Sequence, residues 1–413
     1  MKPDRFAGAA RRLEERLAEL GRISEEPGRL TRTFLSPAME RAHRLVGGWM
    51  RAAGLKVRVD GIGNLIGRLE SAVPGARTLI LGSHLDTVRD AGRFDGALGV
   101  ILPVLALAEV ERPLPFAVEI VGFAEEEGVR FASAYLGSKG YAGRLRRADL
   151  GLRDAASRTV QSALKQRFGS AALPRPAHRP RQLLGYLETH IEQGPVLEAK
   201  GAAVGVVSAI AGQSRGRLTL RGHAGHAGTP PMRGRRDALA GAAELILWTE
   251  ALARRAAPLV ATVGSLAVMP NVANVIAGEA VLTLDLRHPR DPARRAALRR
   301  WLAQARRIAR RRGLACEWRL TQDDSAVACA EPLTALLRQS VRSVQSSAPV
   351  LVSGAGHDAV VLAALAPVTM LFVRCRDGLS HHPDEFAARP DLEVALRVVV
   401  DFLGRLARRE AGP

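Results

Sequence analysis

The chain has 413 residues, 47% of them hydrophobic, enough for two domains and a large core and too many for a disordered chain. Its formal charge of +19 is carried by arginines spread along the whole length, and aromatic residues make up only 4%, which argues against nucleic-acid binding as the main function. No run reaches the ~18 apolar residues of a membrane span, and Cys316, Cys329 and Cys375 show neither metal spacing nor a disulfide framework.

Met1 to Glu26 reads as an amphipathic charged helix with Phe6, Ala9, Leu13, Leu17 and Leu20 on one face. It lacks the apolar segment and cleavage site of a signal peptide, so a cytoplasmic protein is expected. Alternating strands and helices follow, the pattern of an α/β layer fold. Strands are expected at Arg77 to Gly82, Phe116 to Ala124 and Leu183 to Ile191, and helices at Ala97 to Glu111 and Gln193 to Lys200. The polar, Pro-rich stretch from Arg153 to Arg181 reads as a surface excursion. The character changes near Gly212. Ser214 to Arg221 alternates polar and apolar residues, as in a sheet covered on one face. A helix (Arg235 to Arg255), strands (Leu259 to Val268 and Glu279 to Arg287), a second helix (Asp291 to Arg312) and a strand (Cys316 to Thr321) complete a ferredoxin-like β-α-β-β-α-β order. We therefore expect an inserted domain over 212–327, dividing a catalytic domain into 1–211 and 328–413. In the last part, helices are expected at Glu331 to Val344, Asp358 to Ala366 and Asp391 to Arg408, and strands at Val350 to Val352 and Val368 to Val373. A domain tethered by two connections suits a lid.

Five segments place imidazoles or carboxylates just after apolar runs, where an open α/β sheet puts its ligand site. They hold His84 and Asp86, Asp95, Glu125-Glu126-Glu127, His190 with Glu192, and His381-His382. Imidazole and carboxylate without thiolate suits Zn²⁺ or Mn²⁺. His84 and Asp86, two apart at a strand end, leave on one face, so one can ligate while the other orients it; they read equally as a loop His beside an N-cap Asp. Asp95 reads as an N-cap or as a carboxylate bridging two cations. Three adjacent glutamates repel one another unless cations are near, though acids also favour a helix start. One could ligate and its neighbour act as general base. His190 reads as a ligand or a core histidine, and His381-His382 as ligands or a surface pair. His223 and His226 lie in a Gly-rich loop, and Asn274 and Arg287 near strands of the inserted domain; Arg287 offers a planar fork for a carboxylate. No G-x-S-x-G sequence lies at an expected strand-to-helix turn, where a nucleophile elbow sits, which disfavours serine hydrolysis.

Taken in order, GSHLDTV, GRFDGALGV, EEEGVRF, ETHIEQGPVLE, GHAGTPPM, NVIAGE, SGAGHDA and SHHPDE give the chain a resemblance, over nearly its whole length, to a family. It resembles the dinuclear-metal amidohydrolases that include allantoate amidohydrolases, N-carbamoyl-L-amino-acid hydrolases and bacterial β-ureidopropionases, relatives of carboxypeptidase-G-type and dipeptidase metalloenzymes. The resemblance implies an aminopeptidase-like catalytic domain, a mixed central sheet flanked by helices, and a ferredoxin-like lid and dimerisation domain. It implies two divalent ions, Zn²⁺ or Mn²⁺: His84, Asp95 and His190 around one, Asp95, Glu127 and His381 around the other, with Asp95 bridging. His190, the fourth ligand along the chain, stands where peptidase relatives carry an acid and points to the ureido hydrolases. Asp86 would orient His84, and Glu126 would be the general base. His226 would polarise the scissile carbonyl, Asn274 and Arg287 would grip a substrate carboxylate, and Gln193, Gln213 and Gly356 would line the site. Lid groups reaching a partner's site imply a homodimer. The chain departs from the family pattern at Pro231, at His382 and at the extra acid Glu125.

The activity this implies is hydrolysis of a ureido carboxylate with release of ammonia and carbon dioxide; Val88 to Asp95 and Gly225 to Gly228 look most like allantoate amidohydrolases. An N-carbamoyl-L-amino-acid hydrolase is the runner-up, and a dipeptidase would use the same metals.

Overall fold

The structure, a computed structural model, describes residues 4–169 and 175–411. It divides into two units, 1–208 with 329–413, and 209–328.

The first unit opens with α1 (Asp4–Gly21) and α2 (Pro37–Ala52), then the strands β1 (Lys56–Val59) and β2 (Leu65–Leu69). Next come β3 (Thr78–His84), α3 (Ala97–Glu109), β4 (Ala117–Phe123), the short helices α4 (Leu136–Tyr141) and α5 (Arg147–Leu150), α6 (Val160–Phe168), β5 (Leu183–Ile191), α7 (Val196–Ala199) and β6 (Val204–Ile210). The second unit holds β7 (Gly212–Arg221), β8 (Gly225–His226), α8 (Ala238–Arg254), β9 (Val260–Thr262), β10 (Leu266–Met269), β11 (Val275–Ile276), β12 (Glu279–His288), α9 (Asp291–Arg312), β13 (Ala315–Asp324) and β14 (Val327–Ala328). The first unit then resumes with α10 (Glu331–Val344), β15 (Val350–Ser353), α11 (Ala359–Leu362), β16 (Val368–Val373) and α12 (Arg389–Glu410).

The larger sheet runs β1-β2-β4-β3-β5-β16-β6-β14, with β15 also paired to β6. Its centre, β4-β3-β5-β16, is parallel and its flanks are antiparallel, which makes it a mixed sheet. Every residue of β3, β4, β5 and β16 is buried, as expected of strands covered on both faces. The cover includes α3, apolar all round, and α1, whose Phe6, Leu13, Leu17 and Leu20 join the same core. These residues recur at helical spacing and turn one face inward. Met1 to Pro3 lie outside the described residues.

In the second unit, β12 alternates buried and half-buried residues along its length, and β7 alternates buried residues with half-buried or exposed ones. Their inward leucines pack on α8 and α9 around the fully buried Trp301. The sheet order β10-β12-β7-β13, with β9 also on β12, is that of a ferredoxin-like unit.

Several sequence expectations need correction. The single strand expected over Leu259 to Val268 is two, β9 and β10, split at Gly264 and both paired to β12. The helix expected over Gln193 to Lys200 is only α7, because Gln193 takes φ 56° and Gly194-Pro195 follow. The helix expected over Asp358 to Ala366 is likewise reduced to α11. The stretch 153–181 is not all surface: Val160, Ala163 and Leu164 of α6 join a small core with Phe34, Ile62 and Phe131, while residues 170–174 lie outside the described set. Among the described residues no helix is long and apolar enough to cross a membrane.

Candidate metal centre

Parallel pairing brings the strand ends together. His84, the last residue of β3, lies opposite Phe123 at the end of β4, and His190 of β5 lies opposite Phe372 of β16. The loops that follow leave from one edge of the sheet. Asp95 sits in the first of them. It is not the N-cap of α3; Gly96 is, with φ 64°. A Cβ on Gly96 would collide with the His84 imidazole, so glycine lets the helix start against that ring.

The Asp95 carboxylate instead faces three imidazoles. Its Oδ1 is 3.4 Å from His84 Nε2 and 3.1 Å from His190 Nε2, and its Oδ2 is 3.3 Å from His381 Nε2. The same His381 nitrogen is 3.5 Å from Glu127 Oε1. Two triads result, His84-Asp95-His190 and Asp95-Glu127-His381, sharing Asp95; His84, Glu126 and Glu127 form a third. His382 turns away, its Nδ1 accepting from the Asp384 amide at 3.2 Å.

The tautomers bear on what belongs there. His84 Nδ1 donates to the Asp86 carbonyl, and His190 Nδ1 to the Ile191 carbonyl, each at 2.9 Å. The Gly96 amide donates to His190 Nε2 at 3.3 Å. Both Nε2 atoms thus aim lone pairs at carboxylate oxygens, an arrangement of acceptors that needs positive charge between them. The fields agree. Burial works against a charged His84, but the Asp95 contact and the charges of Glu126 and Asp86 hold its pKa well above the usual imidazole value. The Asp95 contact raises His381 to about 9, and burial, reinforced by Asp95, pushes Glu127 up to about 7. Three imidazoles and two carboxylates without sulfur fit divalent cations of the Zn²⁺ or Mn²⁺ type.

Around the triads lies a ring of supports. The Asp86 carboxylate is 3.9 Å from His84 Nδ1; the orienting contact comes from its backbone carbonyl. Its oxygens accept instead from the amides of Glu126 (3.2 Å) and Glu127 (3.1 Å). Glu126 itself is buried, and burial together with Glu127, Asp358 and Asp86 drives its pKa well above the ordinary range, against the pull of His84. Glu125 folds back to accept from the amides of Arg130 and Phe131. Gln193 Nε2 reaches Asp95 Oδ2 at 2.9 Å and Ser380 Oγ at 3.1 Å. Glu125, Gln193 and His381 all adopt left-handed backbone, a concentration of strain common at functional sites.

Sequence reasoning passed over several supports. Glu385 accepts from the amides of Phe94 (2.8 Å) and Asp95 (3.0 Å) and lies 2.9 Å from Ser380 Oγ, so it fixes the Asp95 loop. Ser353 Oγ donates to the Ala355 carbonyl at 2.9 Å and must therefore accept from His357 Nε2 at 2.7 Å. That polarity leaves Ser353 a buttress, not an activated nucleophile. The His357 ring meets His190 edge-on at 4.6 Å. Glu385 and His357 lie inside SHHPDE and SGAGHDA, so the signal was present.

Of the remaining expected residues, Gly356 follows β15 in the first unit, and His226, Asn274, Gln213 and Arg287 lie in the second, in two groups. His226 pairs with Val275 across β8 and β11, and the Ala227 amide donates to the Asn274 carbonyl at 2.8 Å. The Gly228 amide donates to His226 Nδ1 at 3.0 Å, which puts the neutral ring's proton on Nε2 of an exposed side chain. Gln213 lies opposite Arg287 on β7 and β12. Arg287 makes a two-pronged contact with Asp285, both bonds 2.8 Å, and Gln213 donates to Asp324 at 2.9 Å.

Residues 80–405 match the model of peptidase family M20/M25/M40. The chain belongs to that family. It is a hydrolase acting on amides, of a family that uses divalent metal ions. It is 40% identical to an allantoate deiminase of Arabidopsis thaliana, over 94% of this chain and 81% of that protein. It is 38% identical to an N-carbamoyl-L-amino acid amidohydrolase of Geobacillus stearothermophilus, over 97% and 99%. A solved amidase of the hydantoinase/carbamoylase family from Burkholderia multivorans superposes with a TM-score of 0.91 at 33% identity, covering 97% of this chain and 98% of that one.

Proposed function

We propose that this M20 hydrolase cleaves the C–N bond of a ureido carboxylate and acts as an allantoate amidohydrolase in purine breakdown in the cytoplasm. The observation that carries the reading is 40% identity to an allantoate deiminase along 94% of the chain. His84, Asp95 and His190 would hold one cation and Asp95, Glu127 and His381 a second, Zn²⁺ or Mn²⁺. Such cations supply Lewis-acid polarisation and lower the proton affinity of water. Glu126, whose buried carboxyl has a raised proton affinity, takes the proton of the attacking water and returns it to the leaving nitrogen. Asp86 holds the Glu126 amide and so fixes where that base stands. His226 offers Nε2–H to the oxygen that gains charge. Asn274 and Arg287 hold the carboxylate, Arg287 exchanging Asp285 for substrate, and Gln193, Gln213 and Gly356 complete the pocket. The carbamic acid released falls apart to ammonia and carbon dioxide.

We assign residues 212–327 as a lid that also dimerises. In the second unit β10 is a sheet edge with Leu266 and Met269 exposed, and Leu239 and Leu247 of α8 are exposed as well. An unpaired edge with apolar side chains calls for a partner strand.

An N-carbamoyl-L-amino-acid hydrolase remains the second reading, favoured by 38% identity along nearly the whole of such an enzyme. Ammonia release with allantoate, N-carbamoyl-L-amino acids and a dipeptide, each with and without chelator, separates them. Chelator-sensitive turnover of allantoate supports the first reading, and preference for carbamoyl amino acids supports the second. Turnover of the dipeptide alone would overturn both.

A further inference from the structure

We propose that Tyr135 is a positioning residue of this site. Its phenol holds the loop 354–357 at a fixed distance from the segment carrying Glu126, and so sets the reach of the Gly356 backbone toward substrate. The inference rests on the ureido-carboxylate reading for what Gly356 touches, but not for the latch itself.

The backbone of Tyr135 is strapped to the glutamate segment. Its amide donates to the Glu126 carbonyl at 3.3 Å, the Leu136 amide to the Glu125 carbonyl at 3.3 Å, and the Gly137 amide to the Ala124 carbonyl at 2.7 Å. Tyr135 itself is left-handed, with φ 68° and ψ 25°, a conformation unusual for a bulky aromatic residue and one that surrounding structure must enforce. At the other end of the side chain, the hydroxyl lies against Gly356. A Cβ built on Gly356 would overlap the hydroxyl oxygen and stand 3.1 Å from Tyr135 Cζ.

Gly356 is not among the residues with positive φ, so its backbone does not require glycine. What excludes a side chain there is the phenol. The far side of the same loop is pinned by the Ser353–His357 hydrogen bond, and His357 packs edge-on against His190. The loop is therefore gripped between a metal-site imidazole and a hydroxyl anchored to the Glu126 segment. A loop held at both ends presents its backbone at one distance; released at one end, it does not.

The test is a double-mutant cycle of Tyr135→Phe and Gly356→Ala on the metal-loaded full chain, read by thermal denaturation without substrate and by KM and kcat with the ureide that the wild type turns over. Tyr135→Phe is expected to raise KM about five- to ten-fold, the effect of one lost hydrogen-bond-sized contact, with kcat within about two-fold. Gly356→Ala is expected to lower the melting temperature, and adding Tyr135→Phe to recover part of that loss, because overlap with oxygen is replaced by a tight contact with the ring. Should Gly356→Ala fail to fold alone, recovery of folded double variant is the same result. Equal damage from Gly356→Ala in both backgrounds would overturn the latch. An unchanged KM in Tyr135→Phe would overturn its positioning role. A wild type that turns over no ureide sinks the functional reading, while the thermal cycle still decides the latch.

Discussion

Glu126 illustrates how a single residue acquires its character from its neighbours. Its carboxyl is buried among Glu127, Asp86 and Asp358, and each raises the cost of its charge. Glu126→Gln keeps the shape and removes the proton acceptor, so turnover should fall about 10²- to 10⁴-fold with metal content by elemental analysis unchanged; full activity would remove Glu126 as the base. Arg287→Ala should act on binding: KM for a carboxylate substrate should rise about ten- to a hundred-fold, the range for a hydrogen bond to a charged group, with kcat little altered. An unchanged KM would dismiss the clamp. Identity and spacing along the chain made Glu126, His84, Asp95 and His190 legible as candidates. They could not rank His381 against its neighbour, because the choice is made by a left-handed turn at His381 that points one ring inward and leaves the other beside Asp384.

Elements carry the site by how closely they approach one another. Helix α3 starts against the His84 ring only because Gly96 has no Cβ, and Gly99 lets it lie on the Thr189 carbonyl and Ser83. Gly96→Ala should push His84 off its line, weakening metal binding about 10- to 100-fold in a chelator competition while the protein still folds; undiminished affinity would mean that the helix start does not position the ring. The central strands and α3 were readable because continuous apolar runs leave few alternatives. Helix α2 was not, although Ser36 accepts from the Met39 amide as an N-cap and Pro37 follows it. Its adjacent Gly47 and Gly48 dilute the helical signal. The split into β9 and β10 was hidden for a related reason: Gly264 interrupts a run whose side chains all suit a strand.

At the scale of the whole molecule, one buried carboxylate joins distant segments. Glu119 in β4 receives Arg68 from β2 at 3.1 Å, Tyr141 of α4 at 2.6 Å and His178 at 3.0 Å. Burial alone would raise its pKa, but the His178, Tyr141 and Arg68 contacts bring it down to about 2. A depressed acid stabilises the fold fully above its unfolded value of about 4.3 and loses that contribution as pH falls toward 2, on the order of 3 kcal/mol in all. In urea titrations of metal-free protein, Glu119→Gln should be less stable than the parent at pH 6, with the gap narrowing below pH 4.5; a gap independent of pH would show that the pairing is not electrostatic. The proposed dimer is tested at the sheet edge, where Leu266→Lys should shift the mass by light scattering from dimer to monomer. By itself the sequence determined the alternation of strands and helices, the inserted ferredoxin-like unit and the kinds of ligand available, because hydrophobic period and side-chain chemistry are local properties. Only the tertiary structure decided that β3, β4, β5 and β16 end side by side, that Asp95 faces three imidazoles and is not capping a helix, and that Glu385 and Asp86 hold backbone amides in the loops that carry the ligands. Those outcomes depend on pairings between strands far apart in sequence, Thr78 with Leu183 and Tyr186 with Val368 among them, and pairing at that range is fixed by packing the whole core, not by any segment alone.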